Sequence, residues 1–221
     1  MGPDYWAAQY QQQPMPPGGA LVKREKIRRY QQAQRRVSNS FVDQSWDTAL
    51  RTDEKNSFSV CITLLVHDGN YYVVNVFRDR LEFPELREKA EELARKYKPD
   101  RIVVEDSGFG QALVDELKKL RFPAITFRPE GSKVARMSVQ SVKIENGQLW
   151  LPTWGTWLDD LEAELFAFPN APHDDQVDAL SQALAQPPHH GYMGWTDKHT
   201  ENFNDVLGTL AFHQFIRRGG Y

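Results

Sequence analysis

The feature that most constrains the fold is a change of hydrophobic period partway along the chain. Residues 41–49 and 58–66 are dense in β-branched and aromatic side chains, and Asp53, Glu54, Lys55 and Asn56 lie between them as a polar turn, so the pair reads as a β-hairpin. Asp68, Gly69 and Asn70 supply the next turn, and residues 71–77 form a third strand whose short connection favours antiparallel pairing. The period then lengthens. Through residues 84–97, Leu86, Ala90, Leu93, Ala94 and Tyr97 recur at helical spacing, with Pro84 in the first turn, where its missing N–H costs little.

From there the two periods alternate. Residues 101–105 read as a short apolar strand, 111–120 as a helix and 124–127 as another strand, a β-α-β order that implies parallel pairing through a right-handed crossover. A helix over 133–144 is expected to turn Val134, Met137, Val139 and Val142 inward, before Gly147 breaks it and 149–151 forms a brief strand. Helices over 157–167 and 174–184 follow. Together these elements predict an α/β fold: a mixed sheet, three antiparallel strands then parallel ones, flanked by helices.

At 221 residues, 40% of them hydrophobic, the chain has enough apolar material for one sizeable core. Residues 39–185 are taken as that domain, 1–38 as a linker and basic arm, and 186–221 as a carboxy-terminal tail. Residues 1–20 are rich in Gln, Pro and Gly and hold no sustained period, so an irregular or extended course is expected there. No apolar run approaches the roughly 20 residues needed to span a bilayer, and the first residues lack the features of a signal peptide, which predicts a cytoplasmic protein with no membrane partner. The single cysteine, Cys61, sits in an apolar run and is expected to be a buried packing residue.

The net charge of −3 conceals an asymmetry: residues 21–36 hold seven bases against one acid, leaving −9 for the rest of the chain. Such a segment, with Lys23, Arg24, Arg28 and Arg29 in it, suits contact with phosphate; a solvated linker is the plain alternative.

The acids fall in a pattern of their own. Asp47 and Glu105 interrupt segments that otherwise read as apolar strands, and Asp174, Asp175 and Asp178 open the last core helix. On that helix Asp175 and Asp178, three apart, share a face, whereas Asp174 points elsewhere and suits an N-cap. Carboxylates brought together raise one another's pKa and oppose folding unless a cation neutralises them. Hard oxygen ligands favour Mg²⁺ or Mn²⁺, and two such ions can activate water and stabilise the leaving oxygen in phosphodiester hydrolysis.

Three stretches carry a family resemblance. Residues 44–49 (Gln-Ser-Trp-Asp-Thr-Ala), 102–108 (Ile-Val-Val-Glu-Asp-Ser-Gly) and 168–180, with His173-Asp174-Asp175-Gln176-Val177-Asp178 at its centre, resemble the acidic motifs of phage and prophage terminase large-subunit nuclease domains. The resemblance spans residues 5–185. Within it, Tyr10-Gln11-Gln12 and Pro16-Pro17-Gly18-Gly19 look like the segment that joins the family's ATPase motor to its nuclease. It implies a ribonuclease H-like fold, two-metal cleavage of double-stranded DNA during genome packaging, and partners in an ATPase domain, a small terminase subunit and a portal. By position it implies Asp47, Glu105, Asp175 and Asp178 as catalytic metal ligands, with Asp174 the alternative to Asp175. His173 becomes an auxiliary that positions water or phosphate, and Lys133 and Arg136 a basic patch beside the site.

No Gly-rich phosphate loop ending in Lys-Ser or Lys-Thr occurs in the sequence, so the packaging motor is not expected within it. Two other readings are compatible with the same residues. One is a resolvase-like or transposase-like nuclease on the same fold. The other is a non-catalytic module that docks DNA or a portal through the basic arm and the apolar residues of the tail, among them Trp195, Phe203, Leu207 and Phe215.

Overall fold

A computed structural model describes residues 20–32, 34, 36–48 and 58–189. The expected turn at Asp53 to Asn56, the Gln- and Pro-rich start and the apolar tail from residue 190 onward lie outside these. The elements run β1 (Arg28–Tyr30), β2 (Ser40–Asp47), β3 (Ser59–His67), β4 (Asn70–Asp79), α1 (Phe83–Tyr97), β5 (Arg101–Glu105), α2 (Gly110–Lys119), β6 (Ala124–Phe127), α3 (Lys133–Glu145), β7 (Leu149–Pro152), α4 (Leu158–Ala167) and α5 (Asp175–Ala185). The seven strands form one sheet in the order β1-β7-β4-β3-β2-β5-β6. Strands β2, β3 and β4 are antiparallel, while β5 and β6 continue in parallel from β2, and β7 and β1 in parallel from β4. This is the mixed sheet the change of period predicted.

Alternation along the central strand divides the core. Val60, Ile62 and Leu64 of β3 face α3, α4 and α5 and pack with Met137, Leu161, Val177 and Leu180. Cys61 and Leu65 face the other way and pack with Leu86 and Leu93 of α1 and Leu113 of α2. The sheet is thus covered on both sides, and β3 at its centre is apolar on both. Cys61 is buried, as its apolar surroundings predicted.

Two expectations are corrected. The segment before residue 38 is no separate linker in its described part. β1 adds to the sheet beside β7, and the buried Tyr30 donates a hydrogen bond to the Val73 carbonyl, 2.6 Å away. Three residues, two of them arginines, carry too little period to be read as a strand. The second correction concerns α3, whose buried residues are Met137, Gln140 and Ile144, leaving Val134, Val139 and Val142 exposed. The helix is rotated from the expected face because its inward side continues through Lys133 and Arg136, whose charges meet the acids Asp174 and Asp178 at the start of α5.

Candidate metal and nucleic-acid site

Strand register decides which acids meet. In β2, Asp43 to Trp46 lie beside Arg101 to Val104 of parallel β5, so the next step brings Asp47 beside Glu105 at the ends of both strands. Asp47 lies opposite Val60 of β3, and the side chains at both positions share the sheet face that α5 covers. Asp178, in the first turn of α5, descends onto this row. Asp47, Glu105 and Asp178 each offer a carboxylate oxygen, and these oxygens all lie within 4.8 Å of one another.

Three local devices hold the arrangement. At α5, Glu164 of α4 accepts hydrogen bonds from the backbone N–H groups of Gln176 (2.6 Å) and Val177 (2.9 Å) and from the Gln176 side-chain amide (2.8 Å). It thereby fills the orphan donors of the helix start and favours its positive dipole end. One turn beyond Asp178, the buried Gln182 amide donates to Ser45 Oγ (3.0 Å) and to the carbonyls of Trp46 (3.2 Å) and Val103 (3.4 Å), tying α5 to the two strands that carry Asp47 and Glu105. At Glu105, α2 begins so close to the strand end that a Cβ at Gly110 would stand 1.9 Å from the Glu105 carbonyl oxygen. Only glycine permits that approach.

The charges are strained. Burial, then the charges of Glu105 and Asp178, push the Asp47 carboxyl well above its usual range, with Lys133 easing it. Burial and Asp178 likewise raise Glu105, against Arg136 and Lys133. Asp178 itself is gripped by Arg136 and by Lys133 at 3.3 Å. Burial alone would lower Lys133, but its hydrogen bond to Asp174 and the charges of Asp178, Asp174 and Asp47 raise it.

The other predicted residues fall as follows. Asp174 occupies the N-cap position of α5, yet its side chain makes no cap; it pairs instead with Lys133 at 2.8 Å. Asp175 opens the helix outside the close group, although its charge reaches Asp47. His173 sets its ring edge-on to Phe58, with centroids 5.4 Å apart. The bases of the expected arm lie elsewhere. Lys23 and Lys26 pair with Glu145, and Arg24 and Arg29 with Glu162, while Arg28 lies over Trp150. Glu145 ends α3, about 18 Å along its axis from Lys133. Lys23, Arg24, Lys26 and Arg29 thus pair with acids of the same domain, where a basic arm turned toward phosphate or a solvated linker was expected. Sequence reasoning passed over Gln182 and Glu164; for Gln182 the one available signal is its place four residues, about one turn, after Asp178.

A mixed sheet with acids gathered at the ends of adjacent strands under a closing helix defines a ribonuclease H-like domain. The chain belongs to the terminase ribonuclease H-like domain family, whose sequence profile matches residues 44–186. Its fold is similar to that of the large terminase nuclease from thermophilic phage G20c. With bound cobalt, that structure has a TM-score of 0.59 and 17% identity over 77% of this chain and 99% of that one. With bound magnesium, the TM-score is 0.58, again at 17% identity over 77% and 99%. The large terminase of a second thermophilic bacteriophage also matches, with a TM-score of 0.53 and 10% identity over 73% of this chain and 42% of that longer one. No curated protein matches the chain. Among the described residues no helix is long and apolar enough to cross a membrane.

Proposed function

We propose that this domain is a divalent-metal-dependent endodeoxyribonuclease that cuts double-stranded DNA during viral genome packaging, as the nuclease of a terminase large subunit. The observation that carries the reading is the convergence of the Asp47, Glu105 and Asp178 oxygens within 4.8 Å on this fold. Three buried or half-buried acids so close are costly unless something positive joins them. An all-oxygen donor set fits a hard cation such as Mg²⁺ or Mn²⁺. The magnesium and cobalt bound by the G20c nuclease support the same choice.

Asp47, Glu105 and Asp178 would hold the metal, with Asp175 available to a second ion at the start of the same helix. Such ions supply activated water and charge stabilisation of the leaving oxygen in phosphodiester hydrolysis. Lys133 and Arg136 keep Asp178 oriented and present positive charge where a phosphate would approach. The resemblance adds an ATPase domain, a small terminase subunit and a portal as partners, and the cytoplasm of an infected bacterium as the place of action.

The test is conversion of supercoiled plasmid to nicked and linear forms with Mg²⁺, with Mn²⁺ and with chelator, beside an Asp47→Asn variant. Removing one ligand charge while keeping the side-chain shape is expected to cost at least about 100-fold in rate, since all of the catalysis depends on the cation. Metal-dependent cutting that disappears in the variant supports the reading. A folded protein that binds DNA and cuts with neither metal would sink it in favour of a docking module.

A further inference from the structure

The row of side chains that contains Glu105 and Asp47 continues across the sheet. Val60 lies opposite Asp47 on one side and opposite Arg78 of β4 on the other, so Asp47, Val60 and Arg78 project from the same face. The β3–β4 pairing ends with Ser59 opposite Asp79, and one residue beyond it in each segment stand Phe58 and Arg80, whose side chains meet. The guanidinium carbons of Arg78 and Arg80 stand 3.9 and 4.1 Å from the centre of the Phe58 ring. The edge-on His173 ring, just before α5, buttresses the same aromatic.

These two arginines differ from the bases of the amino-terminal segment. Lys23, Arg24, Lys26 and Arg29 end on carboxylates, whereas neither Arg78 nor Arg80 makes an ion pair among the described residues, although the charge of Arg78 reaches Glu164 and Asp175. Arg78 Nε is buried with no hydrogen-bond partner among the described residues, and Arg80 is exposed. Stacking on an aromatic ring fixes the plane of a guanidinium and leaves its N–H edge directed outward, the arrangement that suits bidentate contact with phosphate.

Resting on the nuclease reading above, we propose that Arg78 and Arg80, stacked on Phe58, form a phosphate-binding edge that seats the backbone of duplex DNA on the β4 side of the carboxylates, opposite Lys133 and Arg136. With neighbouring strands about 4.8 Å apart, Arg78 stands two strands, or roughly 10 Å, from Asp47 along the row. The edge and the α3 pair then bracket the acids from both sides, and attraction to the backbone offsets the repulsion a polyanion meets from the carboxylates.

The experiment is fluorescence anisotropy of a labelled duplex with the full chain in chelator, so that binding is read without cutting, across a series of salt concentrations. The variants are Arg80→Gln, Arg80→Lys and the double Arg78→Gln/Arg80→Gln. The two glutamine variants are expected to bind severalfold more weakly and to flatten the slope of log affinity against log salt by about 0.9 for each phosphate no longer neutralised. Arg80→Lys retains the slope, because the charge remains. Arg80 is exposed, so its variants fold whatever the double variant does. Unchanged affinity and slope in Arg80→Gln overturn the proposal. Plasmid cutting by the unsubstituted chain separates the two levels: cutting with an unchanged slope removes the arginine edge alone, whereas neither cutting nor binding removes the nuclease reading with it.

Discussion

The carboxylate of Glu164 receives both the backbone N–H and the side-chain amide of Gln176, at 2.6 and 2.8 Å, from within the buried junction of α4 and α5. A buried acid is ordinarily a liability, and burial does raise its pKa. Here it stands at the start of the helix that carries Asp178, where the unpaired N–H groups and the dipole both favour negative charge. The position of the candidate site thus depends on a residue that lies outside it.

Glu164→Ala leaves two buried backbone donors of α5 without acceptors. It is expected to lower stability by roughly 2 to 4 kcal/mol in chemical denaturation. Glu164→Gln, which keeps an acceptor oxygen, should lose less than half of that. Equal losses in the two variants would mean that packing volume, not capping, is what Glu164 contributes.

Gln182 governs a different quantity. Its amide bridges α5 to Ser45, Trp46 and Val103, so Gln182→Leu frees the helix relative to the strands that bear Asp47 and Glu105. Removing an outer residue that orients metal ligands costs about 10- to 100-fold in metal affinity, and a loss of that size is expected in Mn²⁺ titration. Excess Mn²⁺ should restore much of the cutting. A variant that unfolds less readily yet binds Mn²⁺ as before would remove Gln182 from this role.

These positioning residues mark where sequence reasoning stops. The order of strands and helices was readable because period-2 and period-3.6 stretches follow one another with turn residues between them. Asp47 and Glu105 stood out because acids are unusual in strands otherwise apolar, and register brings both to Asp178. α3 was rotated in expectation, since Val134, Val139 and Val142 suggest an apolar face, while the true inner face carries Lys133 and Arg136 toward charges set by distant segments. Glu164 and Arg78 leave no periodic trace, and Gln182 leaves only its place one turn after Asp178. Their meaning lies in partners such as Ser45, 137 residues before Gln182, that only the folded chain brings near.

The raised carboxyls predict a pH dependence of stability. Asp47 and Glu105 titrate above their ordinary values of 3.8 and 4.5, so between those values and the folded ones the folded state holds more protons than the unfolded state. Stability of the metal-free protein therefore falls as pH rises through that interval, and the deficit is complete above the folded values. Asp47→Asn removes the larger source of it. Thermal unfolding in chelator is expected to show the variant increasingly more stable than the unsubstituted protein as pH rises from about 4 to 8. A constant difference across that range would mean that Asp47 is not raised.

Lys133 tests how the carboxylates divide themselves between protein and metal. Its ammonium, 2.8 Å from Asp174 and 3.3 Å from Asp178, supplies positive charge beside the position a cation would take. A divalent ion near Asp178 must tolerate that neighbour, so Lys133→Gln is expected to tighten Mn²⁺ binding on the order of tenfold, a modest fraction of the unscreened interaction at such a distance. Cutting should move the other way, because phosphate loses a counter-charge where it approaches. A purely structural lysine gives a different pattern, since loosening α3 against α5 would weaken metal binding and cutting together. Calorimetry with Mn²⁺ in the absence of DNA, set beside plasmid cutting, distinguishes opposed changes from parallel ones, and parallel losses would assign Lys133 to holding the fold.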